Sequence, residues 1–405
     1  MDNEDKKSNR FFNKLTELLL ENLMKQGVVE LEDVIIEADK LELWFQSVVP
    51  PVVKEKIPPP IVKPIEITEI EFIHPQPEWM GRIAEVRLGA TKSEGGTRDR
   101  SFIIGGETLP PFYLFQGVMP HPPVIAMDVF DMRVPLPKAI KMHFNDVMDD
   151  SAEWAKRCVE TYNAEMINLH LASTDPYIKD TPPFQAAKTI EEVLQAVKVP
   201  ICVGGSGNAE KDSDVFLRIA EVSEGENLLI NSLNLDMGAK LEEVAKKIRE
   251  HGHTIIAFSP MDLDKARELN RKLYDFVEKE RILMDTNTAG IGYGLEYGFT
   301  AMERARLYAL KGDEDLQHPI AAGVTNAWVA REAWMKMDPY WGPGEIRGPI
   351  WETITALANL LAGADYFMMM HPTSIKTIHE VINYLLKGNV GKVEDIYSWV
   401  SAKLR

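Results

Sequence analysis

From residue 124 to the end of the chain, short apolar runs alternate with longer segments in which apolar residues recur every three or four positions. Nearly continuous apolar runs are typical of strands buried on both faces of a parallel sheet, and the longer segments have the spacing of amphipathic helices. The predicted strands are 124–129, 166–171, 200–203, 228–230, 254–258, 282–284, 320–323 and 366–370. The predicted helices are 151–162, 184–198, 211–222, 238–251, 260–279, 298–310, 326–337 with a further one at 348–362, and 373–387.

A succession of eight such strand–helix units predicts an α/β protein built as a closed (β/α)8 barrel of the TIM type. An open, doubly wound sheet is the alternative for alternating strands and helices. Its dinucleotide-binding form carries a G-x-G-x-x-G turn after the first strand, and this chain has no such turn there. The pattern therefore favours the closed barrel.

The chain before the barrel has a different pattern. Residues 11–26 have helical spacing and end at Gly27, residues 50–60 are rich in proline, and two β-like runs at 82–88 and 101–104 predict a hairpin. We therefore predict four regions. These are an N-terminal helical extension (1–49), a Pro-rich linker (50–80), a hairpin cap leading into the barrel (81–120) and the barrel itself (121–405).

Composition narrows the possible functions. The 405 residues carry a formal net charge of −17, which makes nucleic acid an unfavourable partner. The two cysteines, Cys158 and Cys202, are too few for an iron–sulfur cluster of this chain's own and fit a reducing compartment. The longest apolar stretch, 354–370, is interrupted by Asn359 and Asp365 and is a poor membrane span. We expect a soluble, cytoplasmic protein with no membrane or nucleic-acid partner.

Polar residues lie at the C-terminal ends of the predicted strands, where a barrel of this type places its ligand site. They are mostly amides, hydroxyls and carboxylates, and amides and hydroxyls hydrogen-bond neutral polar ligands but are weak metal ligands and weak nucleophiles. We therefore predict a rim that binds a neutral polar ligand, without catalytic residues or metal ligands. Its candidates are Asp128, Asn168, Ser206, Asn231, Asn287, Thr288, Thr325, Asn326 and His371.

Other interpretations of the strand ends stay open. Asp128, Asp131 and Asp285 could form a carboxylate set for acid–base chemistry, or could equally cap helices and bind main-chain amides. His170 and His371 follow different strands and have no obvious third ligand, so a metal site is not predicted. The glycine-rich segment 204–207 lacks the Gly-Lys-Ser/Thr ending of a P-loop.

Several segments together resemble a known family. They are Val124-Ile-Ala-Met-Asp-Val-Phe-Asp131, Val199-Pro-Ile-Cys-Val-Gly-Gly-Ser-Gly-Asn208, Asp285-Thr-Asn-Thr-Ala-Gly-Ile-Gly-Tyr-Gly294, residues 351–372 and Ile104-Gly-Gly-Glu-Thr-Leu-Pro-Pro-Phe112. The resemblance is to the delta family of the acetyl-CoA decarbonylase/synthase complex. This family is the archaeal counterpart of the small subunit of the bacterial corrinoid iron–sulfur protein. The resemblance spans roughly residues 80 to 390.

The resemblance implies a heterodimer with a gamma subunit, which carries a [4Fe–4S] cluster and a corrinoid of the cobalamin type. The pair would take a methyl group from a tetrahydropterin onto cobalt and hand it to the nickel–iron–sulfur cluster of the beta subunit. The delta barrel would cover one side of a corrinoid held mainly by gamma, and the rim candidates named above would then be its cofactor-binding residues. This chain also lacks the corrinoid motif Asp-x-His-x-x-Gly, since Asp315-Leu-Gln-His318 has one residue too many. The demanding chemistry is thus expected to belong to the partner's cofactor.

Two other functions remain as alternatives to this binding and scaffolding role. One is an autonomous pterin-dependent methyltransferase, in which Asp128, Asn168, Asn231 and Asp285 would hold the pterin ring. The other is a barrel hydrolase or lyase that uses Asp128 or Asp285 as its base.

Overall fold

The computed structural model describes residues 77–387 of the chain. The predicted N-terminal helix at 11–26 and nearly all of the predicted linker lie outside the described residues, and so does the segment 388–405. The proposed boundaries of the four regions stay predictions.

Eight parallel strands close into a barrel, which confirms the predicted (β/α)8 architecture. Around the barrel the strands follow the order β10-β3-β4-β5-β6-β7-β8-β9, so each strand lies beside its neighbour in sequence and the last closes on the first. They are β3 (Val124–Phe130), β4 (Met166–His170), β5 (Ile201–Gly204), β6 (Leu229–Leu233), β7 (Thr254–Phe258), β8 (Ile282–Asp285), β9 (Ile320–Gly323) and β10 (Ala364–Met369).

Helices follow the barrel strands. They are α1 (Lys138–Phe144), α2 (Ser151–Tyr162), α3 (Pro183–Ala196), α4 (Ala209–Val222), α5 (Lys240–Glu250), α6 (Leu263–Tyr274), α7 (Leu295–Leu310), α8 (Gly344–Ala362) and α9 (Pro372–Lys387). The starts of α2 and α6 are capped by Asp150 and Asp262, whose carboxylates accept main-chain N–H groups of the first turn. The short helix α1 was not predicted from the sequence.

The predicted helix at 326–337 is wrong. The chain there forms short 3-10 turns, Val324–Val329 and Arg331–Ala333, and the barrel helix after β9 is α8. A tertiary contact explains the difference: the buried Arg347 guanidinium donates to the carbonyl oxygens of Glu332 and Met335 at 2.8 and 2.6 Å. These hydrogen bonds hold the main chain of this segment against α8 in its turn conformation.

The interior of the barrel is filled from its N-terminal end by a hairpin. Strands β1 (Val86–Leu88) and β2 (Phe102–Ile104) pair antiparallel. Val86, Leu88 and Ile104 belong to one apolar cluster with inward-facing residues of the barrel strands, Tyr366 among them. A second cluster lies between the barrel and its surrounding helices. The apolar filling leaves the opposite end of the barrel for polar side chains.

The alternation along the strands carries those polar side chains inward. On β3, Val124 and Ala126 face the interior cluster, and Asp128 continues the same face two residues later. The register pairs Asp128 with Asn168 on β4. No helix in the described range 77–387 is both long and apolar enough to cross a bilayer.

Candidate functional site

Asp128 is the centre of the polar end of the barrel, which we call the mouth. Its side chain is fully buried. One carboxylate oxygen accepts a hydrogen bond from the Asn168 Nδ2 at 2.7 Å, and the other accepts one from the Thr325 hydroxyl. Two predicted rim residues, from β4 and from the segment after β9, thus converge on a third from β3. A buried carboxylate held by such donors is a rigid anchor for the side chains around it.

His170 lies beside this anchor. Its Nε2 is 3.3 Å from Asp128 Oδ1 and 2.9 Å from Asn168 Nδ2. Burial opposes the charged imidazolium, but the charge of Asp128, its hydrogen bond to the ring and the charge of Asp131 together outweigh burial and raise the pKa of His170. From the sequence, His170 was considered only as a metal ligand and was not among the predicted rim residues. The signal that could have placed it there is the two-residue alternation from Asn168.

Asn231 lies at the same end of the barrel. With Asp128, Asn168, His170 and Thr325 it forms a set of side chains that we call the polar ring. Its Nδ2 lies 3.3 Å from Met368 Sδ on β10, and the Thr325 hydroxyl also approaches the Met368 carbonyl oxygen at 3.4 Å. Asn231 is paired with Gly204 in the sheet, and Gly204 is paired with His170. Strands β3, β4, β6 and the end of β9 therefore contribute predicted residues to one site.

Asp285 and Asn287 follow β8. The Asp285 carboxylate is nearly buried and accepts the main-chain N–H of Asn287 at 2.7 Å. Burial raises the pKa of Asp285 to about 7, and the hydrogen bond only partly opposes this shift. Asn287 has a φ of +77°, a left-handed conformation that asparagine tolerates better than most residues.

Thr288 and Asn326 meet at the same edge, since Asn326 Nδ2 donates to the Thr288 carbonyl oxygen at 2.9 Å. The Thr288 hydroxyl is buried without a hydrogen-bond partner among the described residues, and so is Asn168 Oδ1. Buried polar atoms without partners are rare because each costs free energy. Both atoms are therefore candidates to bind water or a ligand.

Two predicted rim residues are engaged elsewhere. The main-chain N–H and the hydroxyl of Ser206 both donate to Asp212 at 2.8 Å, which shapes the loop before α4. His371 is fully buried; its ring packs edge-on against His143 at 5.0 Å and lies 6.1 Å from Trp328. Burial lowers the pKa of His371 to about 3. The cofactor-binding roles of these two residues stay predictions.

Asp131 is also not part of the polar ring. Its carboxylate accepts the main-chain N–H of Ser173 at 2.9 Å and the hydroxyl of the same residue. Burial raises the pKa of Asp131. Asp131 therefore holds the turn after β4, whereas Asp128 and Asp285 lie at the mouth.

The loops around the mouth expose many large apolar side chains. They belong to segments that follow the strands, and such segments meet at the C-terminal rim of a parallel barrel. They are Tyr177, Ile178, Phe184, Met261, Tyr293, Tyr297, Val329, Trp334, Met335, Tyr340 and Trp341. We call this set the apolar rim. Apolar side chains exposed around a polar centre are typical of a surface that binds another molecule.

The site offers hydrogen-bonding groups and no evident metal centre. No group of three or more histidine, cysteine or acidic side chains suited to a metal occurs within residues 77–387. Cys158 and Cys202 are buried, and burial raises the pKa of both thiols, which disfavours the thiolate that binds metals. The arrangement can orient and partly desolvate a neutral polar group.

The sequence comparisons with known proteins agree on one family. A sequence profile described as CO dehydrogenase/acetyl-CoA synthase delta subunit matches residues 85–340. The acetyl-CoA decarbonylase/synthase complex subunit delta of Archaeoglobus fulgidus is 49% identical over 344 residues, covering 83% of this chain and 76% of that protein. The protein of the same name from Methanocaldococcus jannaschii is 42% identical and covers 94% of this chain and 96% of its own length.

Among solved structures, a Xanthomonas albilineans dihydropteroate synthase in complex with indole-2-carboxylic acid and 6-chloroguanine is 13% identical, with a TM-score of 0.46. It covers 67% of this chain and 94% of that one. The profile match and the two close relatives confirm the family expected from the sequence segments. This chain belongs to the delta subunit family of CO dehydrogenase/acetyl-CoA synthase.

Proposed function

We propose that this chain is a binding and scaffolding subunit of an acetyl-CoA decarbonylase/synthase complex. It pairs with a gamma subunit, and its barrel mouth covers one side of a corrinoid that gamma mainly holds. The observation that carries the proposal is the combination of a polar mouth with the apolar rim around it. A small soluble substrate would bind in the mouth alone. A second protein that carries a large cofactor would contact both the mouth and the apolar rim.

The residues of the mouth fit a corrinoid by their chemistry. The edge of a corrin ring carries many neutral amide groups, and the mouth offers amides, hydroxyls and the unpartnered acceptor Asn168 Oδ1. Asn168, Asn231, Thr325 and Asn287 would hold these groups, around the buried Asp128 carboxylate. The bound corrinoid supplies the cobalt that carries the methyl group, and this chain orients the ring and excludes water from it.

A pterin-dependent methyltransferase is the second candidate. The observation that favours it is the nearly buried Asp285 carboxylate, since a proton shared at this position would suit the ring nitrogens of a pterin. The two functions make opposite predictions for the chain purified alone.

The test begins with the full chain, expressed by itself and together with gamma. Alone, it should be colourless and should transfer no methyl group from a methyl-tetrahydropterin to free cobalamin. With gamma, it should co-purify as a heterodimer that retains the corrinoid better than gamma does alone. Methyl transfer by the lone chain would favour the second candidate. If gamma neither pairs with the chain nor gains corrinoid affinity, the proposal is wrong.

A matched pair of variants tests the apolar rim. Tyr293→Asp changes a residue of the rim that is 51% exposed, and Tyr308→Asp makes the same change near the other end of the barrel on a residue 41% exposed. The first should weaken heterodimer formation about ten-fold or more, as loss of an aromatic interface contact does. The second should leave the affinity near that of the wild type. Equal effects in a sedimentation or titration assay would contradict the proposed interface.

A further inference from the structure

His170 is held in one orientation at the mouth. Its ring stacks on Phe130 with the centroids 4.8 Å apart and the planes 17° apart. Its Nε2 edge faces Asn168 Nδ2 and Asp128 Oδ1. The side chain is still 27% exposed, although Asp128 beneath it is fully buried. A ring that is fixed on one edge and accessible on the other can present a single atom to a ligand.

The contacts favour one position for the proton of the neutral ring. An asparagine amide nitrogen has two hydrogens, and the one on Asn168 directed to Asp128 leaves the second for His170 Nε2. Nε2 therefore accepts, and the neutral ring carries its hydrogen on Nδ1. When the ring takes up a second proton, that proton goes to Nε2 beside Asp128. In both states Nδ1 is a donor, and the described residues contain no hydrogen-bond partner for it.

Gly204 leaves space beside this donor. A Cβ at position 204 would lie 3.3 Å from His170 Nδ1 and 3.9 Å from Asn231 Nδ2. The backbone of Gly204 is not in the left-handed region, so glycine is not needed there for its conformation. The missing side chain instead keeps the approach to Nδ1 open. Asp128 and Asp131 make the surroundings of His170 acidic, which disfavours an anion and favours a neutral acceptor.

We propose that His170 contacts the ligand of the mouth, and that its Nδ1–H donates to an amide carbonyl oxygen. Asp128 and Asn168 act as positioning residues, and Gly204 provides the room. The inference rests on the proposed function and deepens it. The amide has two possible sources, a side chain on the edge of the corrinoid or an amide of the gamma subunit, and the two arms of the experiment distinguish them.

The experiment compares four variants in the full heterodimer. His170→Phe keeps a flat ring against Phe130 but removes the donor, and His170→Asn returns an N–H near the position of Nδ1. Gly204→Ala keeps the histidine and fills the space beside it. His379→Phe is the control, because His379 on α9 has a similarly exposed side chain, at 29% against 27% for His170.

One arm measures corrinoid affinity and cobalt content of the assembled heterodimer. The other measures pairing with corrinoid-free gamma. Loss of one hydrogen bond in a desolvated site should weaken binding about ten-fold for His170→Phe and Gly204→Ala. His170→Asn should recover most of the affinity, and His379→Phe should match the wild type. An effect in the first arm alone identifies the corrinoid amide, and an effect in the second identifies an amide of gamma.

Thermal unfolding of each variant shows whether it is folded. If His170→Phe does not fold, Gly204→Ala provides the test in its place. The inference is overturned if folded His170→Phe or Gly204→Ala equals the wild type in both arms. It is also overturned if NMR of the imidazole nitrogens in the chain alone places the proton of neutral His170 on Nε2. The proposed function fails separately, and the inference with it, if the wild-type chain neither pairs with gamma nor raises its corrinoid affinity.

Discussion

Two buried asparagines, one at each end of the barrel, differ in how their side-chain amides are hydrogen-bonded. At the hairpin end, Asn227 uses its whole amide: Nδ2 donates to the carbonyl oxygens of Arg87 and Gly89 at 2.9 and 3.2 Å, and Oδ1 accepts the Thr254 hydroxyl at 2.9 Å. At the mouth, Asn168 is even more deeply buried, yet its Oδ1 has no partner among the described residues. The asparagine amide therefore has all its hydrogen-bond partners at the hairpin end and lacks one for its oxygen at the mouth.

Charged groups follow the same division. At the hairpin end, the buried Arg98 guanidinium donates to Glu226 at 2.8 Å and to the carbonyl oxygens of Val197 and Leu194 at 2.7 and 2.9 Å. At the mouth, burial raises the pKa of Asp285, and no cation within residues 77–387 compensates its charge. Burial of Asn168 and Asp285 at the mouth therefore costs free energy of folding that ligand binding can offset, whereas Asn227 and Arg98 at the hairpin end are fully paired.

The largest expected effect comes from breaking a charge cluster at the hairpin end. Arg306 is buried between Asp365, with which it pairs closely, and Glu107 at 3.4 Å. Burial, together with the charge of Asp365, raises the pKa of Glu107 despite the arginine. Arg306→Met leaves these carboxylates without their cation, so the free energy of unfolding should fall by about 3–5 kcal/mol.

Urea unfolding followed by circular dichroism measures this loss. Arg304→Met is the matched control, because Arg304 lies two residues earlier on α7 and is exposed. Its effect should stay within about 0.5 kcal/mol, as is usual for surface substitutions. Similar values for the two variants would mean that the cluster does not stabilise this end.

A pH-dependent effect is expected at the mouth. The pKa of Asp285 is raised from 3.8 to about 7, so the folded chain binds this proton more tightly than the unfolded chain does. The contribution of Asp285 to stability is therefore complete below pH 3.8 and is lost as the pH rises to about 7. Asp285→Asn removes this loss. The variant should be more stable than the wild type at pH 8 by up to about 4 kcal/mol, since each pKa unit is worth about 1.4 kcal/mol.

The unfolding free energies of Asp285→Asn and the wild type should approach one another as the pH falls toward 4, which provides an internal control. A constant difference between the two proteins across this range would show that Asp285 does not titrate with folding. In that case the burial of Asp285 would impose no electrostatic cost on folding.

The smallest effect on stability is expected from Asn287→Gly. Its main chain already has a positive φ, which glycine adopts without strain, so the free energy of unfolding should change by about 0.5 kcal/mol or less. Corrinoid retention in the heterodimer should nevertheless fall several-fold, measured as cobalt per dimer after gel filtration. Normal cobalt content with normal dimer yield would take Asn287 out of the proposed contact set.

Much of the fold could be predicted from the chain because buried parallel strands have a strong local pattern. The apolar runs that became β3 and β4 are followed by polar residues, and a closed barrel brings the ends of all such strands together. The helix predicted at 326–337 failed because helical spacing there competes with distant partners. Trp328 packs so closely on Gly348 that a Cβ at position 348 would lie 2.1 Å from its ring.

The site was predicted only in part, for a related reason. Asp128, Asn168 and Thr325 were named from their places after strands, but their hydrogen bonds depend on the register of strands far apart in sequence. His371 follows β10 just as the others follow their strands, yet its ring is enclosed by His143 and Trp328. Nothing local to His371 distinguishes it from an exposed rim residue.

The sequence by itself determined the barrel and the chemical character of its mouth, because the periodicity of apolar residues dictates which segments become buried strands and their ends must converge. Only the tertiary structure decided which of the polar residues hydrogen-bond to one another and which are enclosed by neighbouring helices. It also decided where a glycine leaves space for a ligand. Those properties arise from contacts between strands and helices tens of residues apart, and no short segment of the chain encodes them.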